Sequence, residues 1–266
     1  MIELGTQVVA GVTPGKGGQQ VEGVPVYNTV KEAVAESQAD ASVMFVPPRF
    51  AKDAVFECFD AGIRKMVVTA EGIPLHDAME IRSAAVSLNA TILGGNTTGV
   101  ITPGVAMMGF LPYWIDRVYK PGRVGVMTRS GSLTNEVTAM MVAAGHGVST
   151  LVGIGGDSVP FTRFAEMLPG FEADTETDAV LLIGELGGTM EEEVAEAIET
   201  KVFTKPLVAF IAGRNAPEGK KMGHAGAIVS GGKGSAAGKA KALRKVGALV
   251  ADTPSQVGDL FKSVFN

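Results

Sequence analysis

The chain has 266 residues, a formal net charge of −5 with its histidines neutral, and a single cysteine. This length predicts about two domains, large enough to bury a core without disulfides or metal. The acidic balance and the lack of a dense basic run argue against a nucleic-acid surface, and one cysteine excludes a disulfide framework or a cysteine-based zinc site. No signal-peptide pattern follows Met1, and no stretch holds ~18 uninterrupted apolar residues. We therefore expect a soluble cytoplasmic protein with no membrane partner and no metal ligands.

Short apolar runs bounded by glycine or proline alternate along the chain with longer amphipathic stretches. The runs are solidly apolar, which is typical of parallel strands covered on both faces. Their spacing, together with 35 glycines and 6% aromatic residues, predicts consecutive β-α-β units of an α/β protein. The predicted strands are Gln7–Val12, Ala41–Val46, Lys65–Val68, Thr91–Gly94, Val124–Met127, Ser149–Val152, Ala179–Ile183, Leu207–Ile211 and Ala248–Val250. The predicted helices are Val30–Gln38, Arg49–Ala61, Leu75–Leu88, Thr134–Gly145, Thr162–Leu168, Glu191–Ile198 and Lys233–Val246.

The segment Leu111–Gly122 interrupts this rhythm with prolines, Trp114 and a charged patch. We place a domain boundary there, which gives a first domain over residues 1–112 and a second over 117–266. Both domains are expected to be doubly wound, with ligands at the carboxyl ends of their strands. The chain opens in a strand and has no Gly-x-Gly-x-x-Gly turn near its start. Either the first domain is trimmed, or its first ~30 residues lie upstream.

Three loops that follow strands of the first domain are candidates for ligand binding. Thr13–Gly18 sets Lys16 among glycines, where a lysine can contact the phosphates of a nucleotide or of CoA. It is not a Walker A sequence, and a Pro-Gly turn with a solvated lysine explains it about as well. Val46–Arg49 and Thr69–Pro74 follow strands at the same edge, where they can form one wall of a groove. Each of these, taken singly, is also explained as a turn.

Two loops rich in small residues follow strands of the second domain. Thr128–Glu136 opens a helix, at which Ser130 or Ser132 can serve as N-cap while the free amides attract an anion. Helix capping alone also accounts for serine and threonine at these positions. Gly153–Asp157 resembles a dinucleotide-binding loop but lacks the third glycine, so by itself it is a weak signal.

The most informative segment is Gly223–Ile228, which sets His224, one of three histidines, among small residues ahead of the run Gly231–Gly234. Glycine has no Cβ, so backbone amides and a phosphate can come close to an imidazole there. A neutral ring nitrogen is a nucleophile and a plausible phosphate acceptor, although a plain glycine-rich turn is the alternative. Glu185 follows a buried strand, where a carboxylate can fix the tautomer of an imidazole, unless it is simply a solvated turn residue. The other two histidines are explained by a helix surface and a helix end.

Taken together, these segments resemble the alpha subunit of succinyl-CoA synthetase and related nucleoside-diphosphate-forming acyl-CoA ligases. The resemblance runs over nearly the whole chain, from about Gly5 to the C-terminus. It rests on five blocks that occur in the family's order: Gly11–Gly18, Gly99–Gly104, Gly153–Asp157, Ile183–Gly188 and Met222–Ala227.

The resemblance implies a Rossmann-like CoA-binding domain followed by a flavodoxin-like ligase domain, with ATP or GTP and Mg bound on a separate ATP-grasp beta subunit. It implies a reaction in which His224 is phosphorylated, passes the phosphoryl group to a small carboxylate, and CoA attacks the acyl phosphate. Glu185 is the glutamate implied to steady the histidine. The implied phosphate-binding residues are Ser130, Gly131, Gly155 and Gly156. The implied CoA contacts are Pro14, Lys16, Pro47, Thr69, Ala70, Glu71 and Asn96, and the implied substrate contacts are Thr97 and Asn135.

Three departures from the family pattern leave alternatives open. The family's N-terminal strand and glycine-rich CoA loop are not in this sequence, which puts CoA affinity in question. The family's Gly-Pro-Asn-Cys reads Gly94–Thr97 here, and Asn135 stands where succinyl-CoA synthetases have a tyrosine that contacts the substrate. Because Thr134–Glu136 resembles the corresponding stretch of ATP-citrate lyase, malate and citrate stay open beside succinate. A citryl-CoA or malyl-CoA synthetase-type subunit and a non-catalytic, regulatory CoA-ligase-like subunit are the alternatives.

Overall fold

The computed structural model describes residues 1–217, 222–228 and 234–265, in which the apolar runs pair into three sheets. Short 3-10 helices occur at Ile2–Leu4, Pro48–Phe50 and Pro254–Gln256. The strands are β1 (Gly11–Val12), β2 (Gln20–Val21), β3 (Val24–Tyr27), β4 (Ala41–Met44), β5 (Lys65–Val68), β6 (Thr91–Gly94), β7 (Gly99–Thr102), β8 (Ala106–Gly109), β9 (Pro121–Thr128), β10 (Val148–Gly153), β11 (Ala179–Glu185), β12 (Leu207–Ala212) and β13 (Leu249–Ala251). The α-helices are α1 (Val30–Ser37), α2 (Ala51–Asp60), α3 (Leu75–Ser87), α4 (Gly131–Ala143), α5 (Phe164–Ala173), α6 (Met190–Glu199), α7 (Ala236–Lys245) and α8 (Val257–Phe265).

The largest sheet has seven strands in the order β13-β12-β11-β9-β10-β7-β8. Strands β9 to β13 pair in parallel, whereas β7 pairs antiparallel with both β10 and β8. Successive residues of a strand point to opposite faces, so Val126 joins the core that contains α4 and α8 while Met127 joins the core that contains α5, α6 and α7. This burial on both faces explains the continuous apolar runs and confirms the predicted doubly wound α/β class.

Two smaller sheets are built from the first hundred residues. β4, β5 and β6 pair in parallel and pack on α2 and α3 through a core that includes Cys58, Phe59 and Ile81. Cys58 is 1% exposed, and this burial raises the pKa of its thiol to about 11. The second small sheet has the order β1-β3-β2, with β1 parallel and β2 antiparallel to β3.

The β4-β5-β6 sheet packs against the elements of the largest sheet. Val67 of β5 and Leu93 of β6 belong to the same buried cluster as Met127 of β9. Arg82 of α3 donates from Nη1 to the carbonyl of Phe161 at 2.7 Å, which adds a polar link to this contact. The domain boundary between residues 112 and 117 stays a prediction.

The helix predicted over Thr162–Leu168 is wrong in extent, since α5 runs on through Pro169 to Ala173. Proline removes one helical hydrogen bond, but the last turn buries Phe171 against the sheet and so continues the helix. Lys233, where the predicted helix Lys233–Val246 begins, lies outside the described residues. Gly231 and Gly232 of the glycine run before it lie outside them as well. No described helix is long and apolar enough to cross a membrane.

The sequence pattern predicted neither the strands β2 and β3, nor the helix α8, nor the hairpin of β7 and β8. Gly99 and Gly109 lie opposite one another in the hairpin, both with positive φ, and a Cβ on either would collide with the backbone of the other strand. The predicted strand Gln7–Val12 is reduced to β1, because the residues before Gly11 find no strand partner in the described chain. Thr6 instead exchanges hydrogen bonds with the backbone of Met107.

Candidate active site

The carboxyl ends of β9 and β11 lie side by side where the connections of the sheet diverge. The connection after β9 passes through α4 to β10 on one side, whereas the connection after β11 passes through α6 to β12 on the other. Ligands of open α/β sheets bind in the crevice at such a switch point. Arg129 directly follows β9 and Glu185 ends β11, so both residues stand at this crevice.

His224 is held at the crevice by Glu185. Its Nδ1 lies 2.9 Å and 3.0 Å from the two carboxylate oxygens, and the Glu185 side chain is only 8% exposed, against 23% for His224. When Glu185 is ionised its carboxylate only accepts hydrogen bonds, and Nδ1 then carries the proton while Nε2 carries the lone pair. Nε2 makes no hydrogen bond with the described part of the chain. The structure therefore brings the two predicted catalytic residues together and leaves Nε2 as the nitrogen available for chemistry.

Arg129, which the sequence analysis did not assign, completes a row of three charged or polar side chains. Its Nη1 lies 3.3 Å from Glu185 Oε1, and its side chain is 3% exposed. Its Nε and Nη2 donate to the carbonyls of Gly155 and Asp157 at 3.4 Å and 3.3 Å. Glu185 thus stands between a guanidinium and an imidazole in a nearly closed site.

A buried ion pair fixes the backbone around Glu185. Lys239 of α7 and Glu191 of α6 form this pair, and both side chains are fully buried. Lys239 Nζ also donates to the carbonyls of Glu185 and Gly187, while Glu191 Oε1 accepts the amide of Glu185 at 3.1 Å. The end of β11 is therefore held by side chains of two helices.

Glycines allow close packing around His224 and Arg129. A Cβ at Gly156 would lie 2.5 Å from Cδ2 of the imidazole. A Cβ at Gly226 would lie 2.6 Å from Nη2 of Arg129, and one at Gly187 would collide with the carbonyl of Gly226. A larger residue would therefore displace the His224 ring at position 156, the Arg129 guanidinium at position 226 or the backbone of Gly226 at position 187.

The N-terminus of α4 begins immediately after Arg129. The Ser130 hydroxyl accepts the amide of Leu133 at 3.4 Å and caps the helix, as predicted from the sequence. The amides of Gly131 and the residue after it have no partner within the helix, which makes this end of α4 suited to an anion. The predicted role of Ser130 and Gly131 in phosphate binding stays a prediction.

Some of the predicted CoA residues are joined to the histidine site. The backbone amide of Asn96 donates to the carbonyl of Ala70 at 2.7 Å, and the backbone carbonyl of Asn96 accepts the amide of Gly156 at 3.1 Å. Through Gly156 this chain of contacts reaches His224. Thr69, which precedes Ala70, donates its hydroxyl to the carbonyl of Met44 at 2.8 Å.

The other predicted CoA residues lie in separate loops. The side-chain oxygen of Asn28 accepts the amides of Gly15 and Gly17 at 2.9 Å and 3.0 Å, so it shapes the loop that carries Pro14 and the exposed Lys16. Pro47 precedes a 3-10 helix, and Glu71 is exposed. No described hydrogen bond or ion pair joins Pro14, Lys16 or Pro47 to the histidine site.

The two predicted substrate residues have different surroundings. The Thr97 hydroxyl is buried, donates to the carbonyl of Gly153 at 2.6 Å and accepts the amide of Gly99 at 3.0 Å. Asn135 accepts a hydrogen bond from the phenol of Tyr119 at 2.9 Å, which leaves its amide hydrogens free to donate. Burial raises the pKa of Tyr119, so the phenol remains a donor. Contact of either residue with a substrate stays a prediction.

Asp157 is a further residue of the site to which the sequence analysis gave no role. Its Oδ2 accepts the amide of Gly72 at 3.1 Å, and burial raises the pKa of this carboxyl above its ordinary value. It therefore links the loop after β5 to the loop after β10. The described part of the chain holds no group of three or more His, Cys, Asp or Glu side chains suited to a metal ion.

Comparison with known proteins agrees with this arrangement. Residues 1–72 match the CoA binding domain family and residues 127–249 match the CoA-ligase family. A subunit of an ADP-forming sulfoacetate-CoA ligase from Bilophila wadsworthia is 64% identical over 99% of this chain and 90% of its own length. The ADP-forming succinate-CoA ligase subunit alpha 1 of Archaeoglobus fulgidus is 55% identical over 95% of this chain and 85% of its own.

A solved structure shares the fold. ATP citrate lyase from Methanothrix soehngenii, in complex with citrate and coenzyme A, superimposes with a TM-score of 0.85 at 30% sequence identity. The match covers 91% of this chain but only 41% of that one. The fold and the two domain matches define a two-part α/β protein of the CoA-ligase class.

The sequence identities of 64% and 55%, which extend over nearly the full chain, define its family within this class. The chain belongs to the family of CoA ligase alpha subunits that contains the succinate-CoA ligase alpha subunits and the sulfoacetate-CoA ligase subunits.

Proposed function

We propose that this chain is the phosphohistidine-bearing alpha subunit of an ADP-forming acyl-CoA ligase. The observation that supports this most directly is the contact of His224 Nδ1 with both carboxylate oxygens of Glu185, at 2.9 Å and 3.0 Å, in the switch-point crevice. A histidine held in this way presents Nε2 as a nucleophile. Family membership supplies the class of reaction in which such a nucleophile is used.

The proposed reaction has three balanced steps. Nε2 of His224 attacks the terminal phosphorus of a nucleoside triphosphate, the N–P bond forms and the nucleoside diphosphate leaves. An oxygen of the carboxylate substrate then attacks the phosphorus, which frees Nε2 and gives an acyl phosphate. The CoA thiolate finally attacks the acyl carbon, the C–S bond forms and inorganic phosphate leaves. The covalent intermediates split one difficult condensation into easier steps.

The groups of this chain would serve mainly to position and stabilise charge, as phosphoryl transfer requires. The first turn of α4, with Ser130 and Gly131, and the glycine amides of residues 155 and 156 would hold the phosphoryl group. Lys16 and the loop from Thr69 to Glu71 would hold CoA, together with Pro14, Pro47, Ala70 and Asn96. The nucleotide and Mg would be bound by an ATP-grasp beta subunit, since relatives of this chain are named as subunits of ligases.

We propose a short dianionic acid as substrate, with sulfoacetate and succinate as the leading candidates. Two sulfoacetate-CoA ligase subunits are 64% and 63% identical to this chain, compared with 55% for the succinate-CoA ligase subunit. Both acids carry a carboxylate at one end and a second anionic group at the other. The amide hydrogens of Asn135, left free by Tyr119, are donors suited to that second group.

The test is phosphoryl labelling of the chain, reconstituted with its ATP-grasp partner, by γ-labelled ATP and GTP. We expect an acid-labile, base-stable label that His224→Asn abolishes, while the His76→Asn variant, altered at an exposed histidine of α3, labels normally. Discharge of the label by CoA with sulfoacetate, succinate, malate or citrate then identifies the acid. A complex that forms but takes no label would contradict the proposal and favour a non-catalytic, regulatory subunit.

A citryl-CoA-forming subunit is a second candidate, supported by the TM-score of 0.85 to ATP citrate lyase. Discharge by citrate at least tenfold faster than by sulfoacetate or succinate would favour it, since a tenfold preference requires ~1.4 kcal/mol of differential transition-state binding.

A further inference from the structure

Arg129 is the one cation that pairs with the Glu185 carboxylate, apart from His224 itself, in the described ranges 1–217, 222–228 and 234–265. Lys239 is close by, but its ammonium group is directed to backbone carbonyls and to Glu191. The Arg129 side chain is 3% exposed and that of Glu185 is 8% exposed, so water does little to stabilise either charge. The guanidinium of Arg129 is therefore a buried counter-charge in direct contact with the Glu185 carboxyl group.

The ionisation of Glu185 decides which nitrogen of His224 carries the proton. A carboxylate can only accept, so it binds the Nδ1–H form and leaves the lone pair on Nε2. A protonated carboxyl can instead donate to Nδ1, which moves the imidazole proton to Nε2. In that second form Nε2 has no lone pair with which to attack phosphorus.

Burial without a counter-charge favours the neutral form of a carboxyl, and a nearby cation favours the ionised form. The charged groups that face Glu185 are Arg129 from the end of β9 and His224 from its loop, with the Lys239–Glu191 pair on the backbone side. Asp157 adds a carboxyl from the residue after Gly156, against which the imidazole packs, and the charge of His224 acts to lower the pKa of this carboxyl. Among these groups, Arg129 alone brings a permanent positive charge into contact with the carboxylate.

We infer that Arg129 is a positioning residue that keeps Glu185 ionised and thereby fixes His224 in its Nδ1–H tautomer. The guanidinium also packs against the backbone of Gly226, where a Cβ would lie 2.6 Å from Nη2, so it supports the loop that carries the histidine. Its effect on phosphoryl transfer rests on the proposed function, whereas its effect on the tautomer belongs to the unmodified chain.

The experiment measures the tautomer directly, by long-range 1H–15N correlation NMR of the full chain labelled with 15N-histidine at neutral pH. His224→Asn assigns the signals among the three histidines. Arg129→Gln removes the charge but keeps a donor for the carbonyls, and Arg129→Lys keeps the charge. Arg123→Gln is the matched control, because Arg123 is 48% exposed and pairs with Asp178 away from the site.

We expect the Nδ1–H pattern in the wild type, Arg129→Lys and Arg123→Gln, and the Nε2–H pattern or a mixture in Arg129→Gln. In the reconstituted complex, Arg129→Gln should label roughly 10²-fold more slowly, a loss typical of a misplaced proton-transfer group, and Arg129→Lys should recover most of the rate. A folded Arg129→Gln chain with the wild-type tautomer would overturn the inference. A folded Arg129→Lys chain with the Nε2–H form would also overturn it. If the Arg129→Gln variant does not fold, this measurement on Arg129→Lys decides the question.

The two proposals fail in different ways. Absence of label in the wild type would refute the phosphohistidine function while leaving the tautomer measurement valid. Normal labelling of the wild type, with an unchanged tautomer and rate in Arg129→Gln, would refute the role of Arg129 alone.

Discussion

Gly156 packs against the imidazole of His224 so closely that its lack of a side chain is a requirement of the site. A Cβ there would lie 2.5 Å from Cδ2 and 2.6 Å from Cγ of the ring. Gly156 has no positive φ, so an alanine can adopt its backbone conformation. The added methyl group therefore acts on the histidine rather than on the chain.

We predict that Gly156→Ala folds normally but moves His224 away from Glu185. Phosphoryl labelling of the reconstituted complex should then become at least about tenfold slower, because a misplaced reacting group lowers the rate of the chemical step. Gly170→Ala is the matched control, since nothing lies within 4 Å of a Cβ at that position of α5. The control should label normally and gain roughly 0.5–1 kcal/mol of stability, because alanine is the better helix former. Wild-type labelling of Gly156→Ala would contradict the description of the site.

At the scale of residues, the sequence identified the groups whose neighbours along the chain are unusual. His224 among glycines and Glu185 after an apolar run stand out in this way. Arg129 and Asp157 do not, because their surroundings come from other strands: Arg129 meets a carboxylate 56 positions away only when β9 and β11 pair. A charged residue directly after a buried strand is the signal that could have suggested Arg129.

At the scale of elements, the end of β11 depends on the helices on either side of it. Lys239 and Glu191 are buried completely and bind the backbone of Glu185 from α7 and α6. Removing one partner of such a pair leaves an uncompensated charge in the core, which costs far more than the pair itself contributes.

We predict that Lys239→Met lowers the free energy of unfolding by about 3–5 kcal/mol, and that adding Glu191→Gln recovers at least half of this loss. The glutamine oxygen can still accept the amide of Glu185. Denaturant unfolding of the two variants measures both values. Lys245→Met, which breaks an ion pair with Glu199 whose side chains are 76% and 63% exposed, should cost less than about 1 kcal/mol. If the double variant were no more stable than Lys239→Met alone, the uncompensated charge of Glu191 would not be the cause of the lost stability.

The elements that the sequence predicted well are those whose burial is uniform. β5 and β6 have the predicted bounds, and β9 to β13 differ from prediction by up to three residues at either end, because apolar runs covered on both faces are unambiguous. The hairpin of β7 and β8 has glycine at its ends and pairs antiparallel with β10, so it lacks that pattern. α5 passes through Pro169 because the burial of Phe171 outweighs the helical hydrogen bond that a proline removes.

At the scale of the whole molecule, Asp157 connects parts of the chain that belong to different sheets. Its carboxyl accepts an amide of the loop after β5, while its own carbonyl accepts Arg129 at the end of β9. Burial raises its pKa, so the folded chain binds this proton more tightly than the unfolded chain does. The contribution of Asp157 to stability therefore falls as pH rises from 3.8 through the raised value.

We predict that Asp157→Asn gains stability relative to the wild type as pH rises through that window, by about 1.4 kcal/mol for each unit of the pKa shift. The amide oxygen can still accept the amide of Gly72. Denaturant unfolding across the acidic pH range measures the difference. Asp178→Asn is a control of opposite sign, because the hydrogen bond to Arg123 lowers the pKa of Asp178 and stabilises the folded chain as pH rises. A difference that is constant with pH would contradict the assignment.

The burial of the single cysteine has a consequence for chemical selectivity. In the proposed reaction an acyl phosphate forms, and an accessible thiolate near the site would capture its acyl group in place of CoA. Cys58 is 1% exposed, and its pKa of about 11 keeps it protonated near neutrality. Since the chain has no other cysteine, it offers no thiolate of its own that would compete with CoA in the proposed reaction.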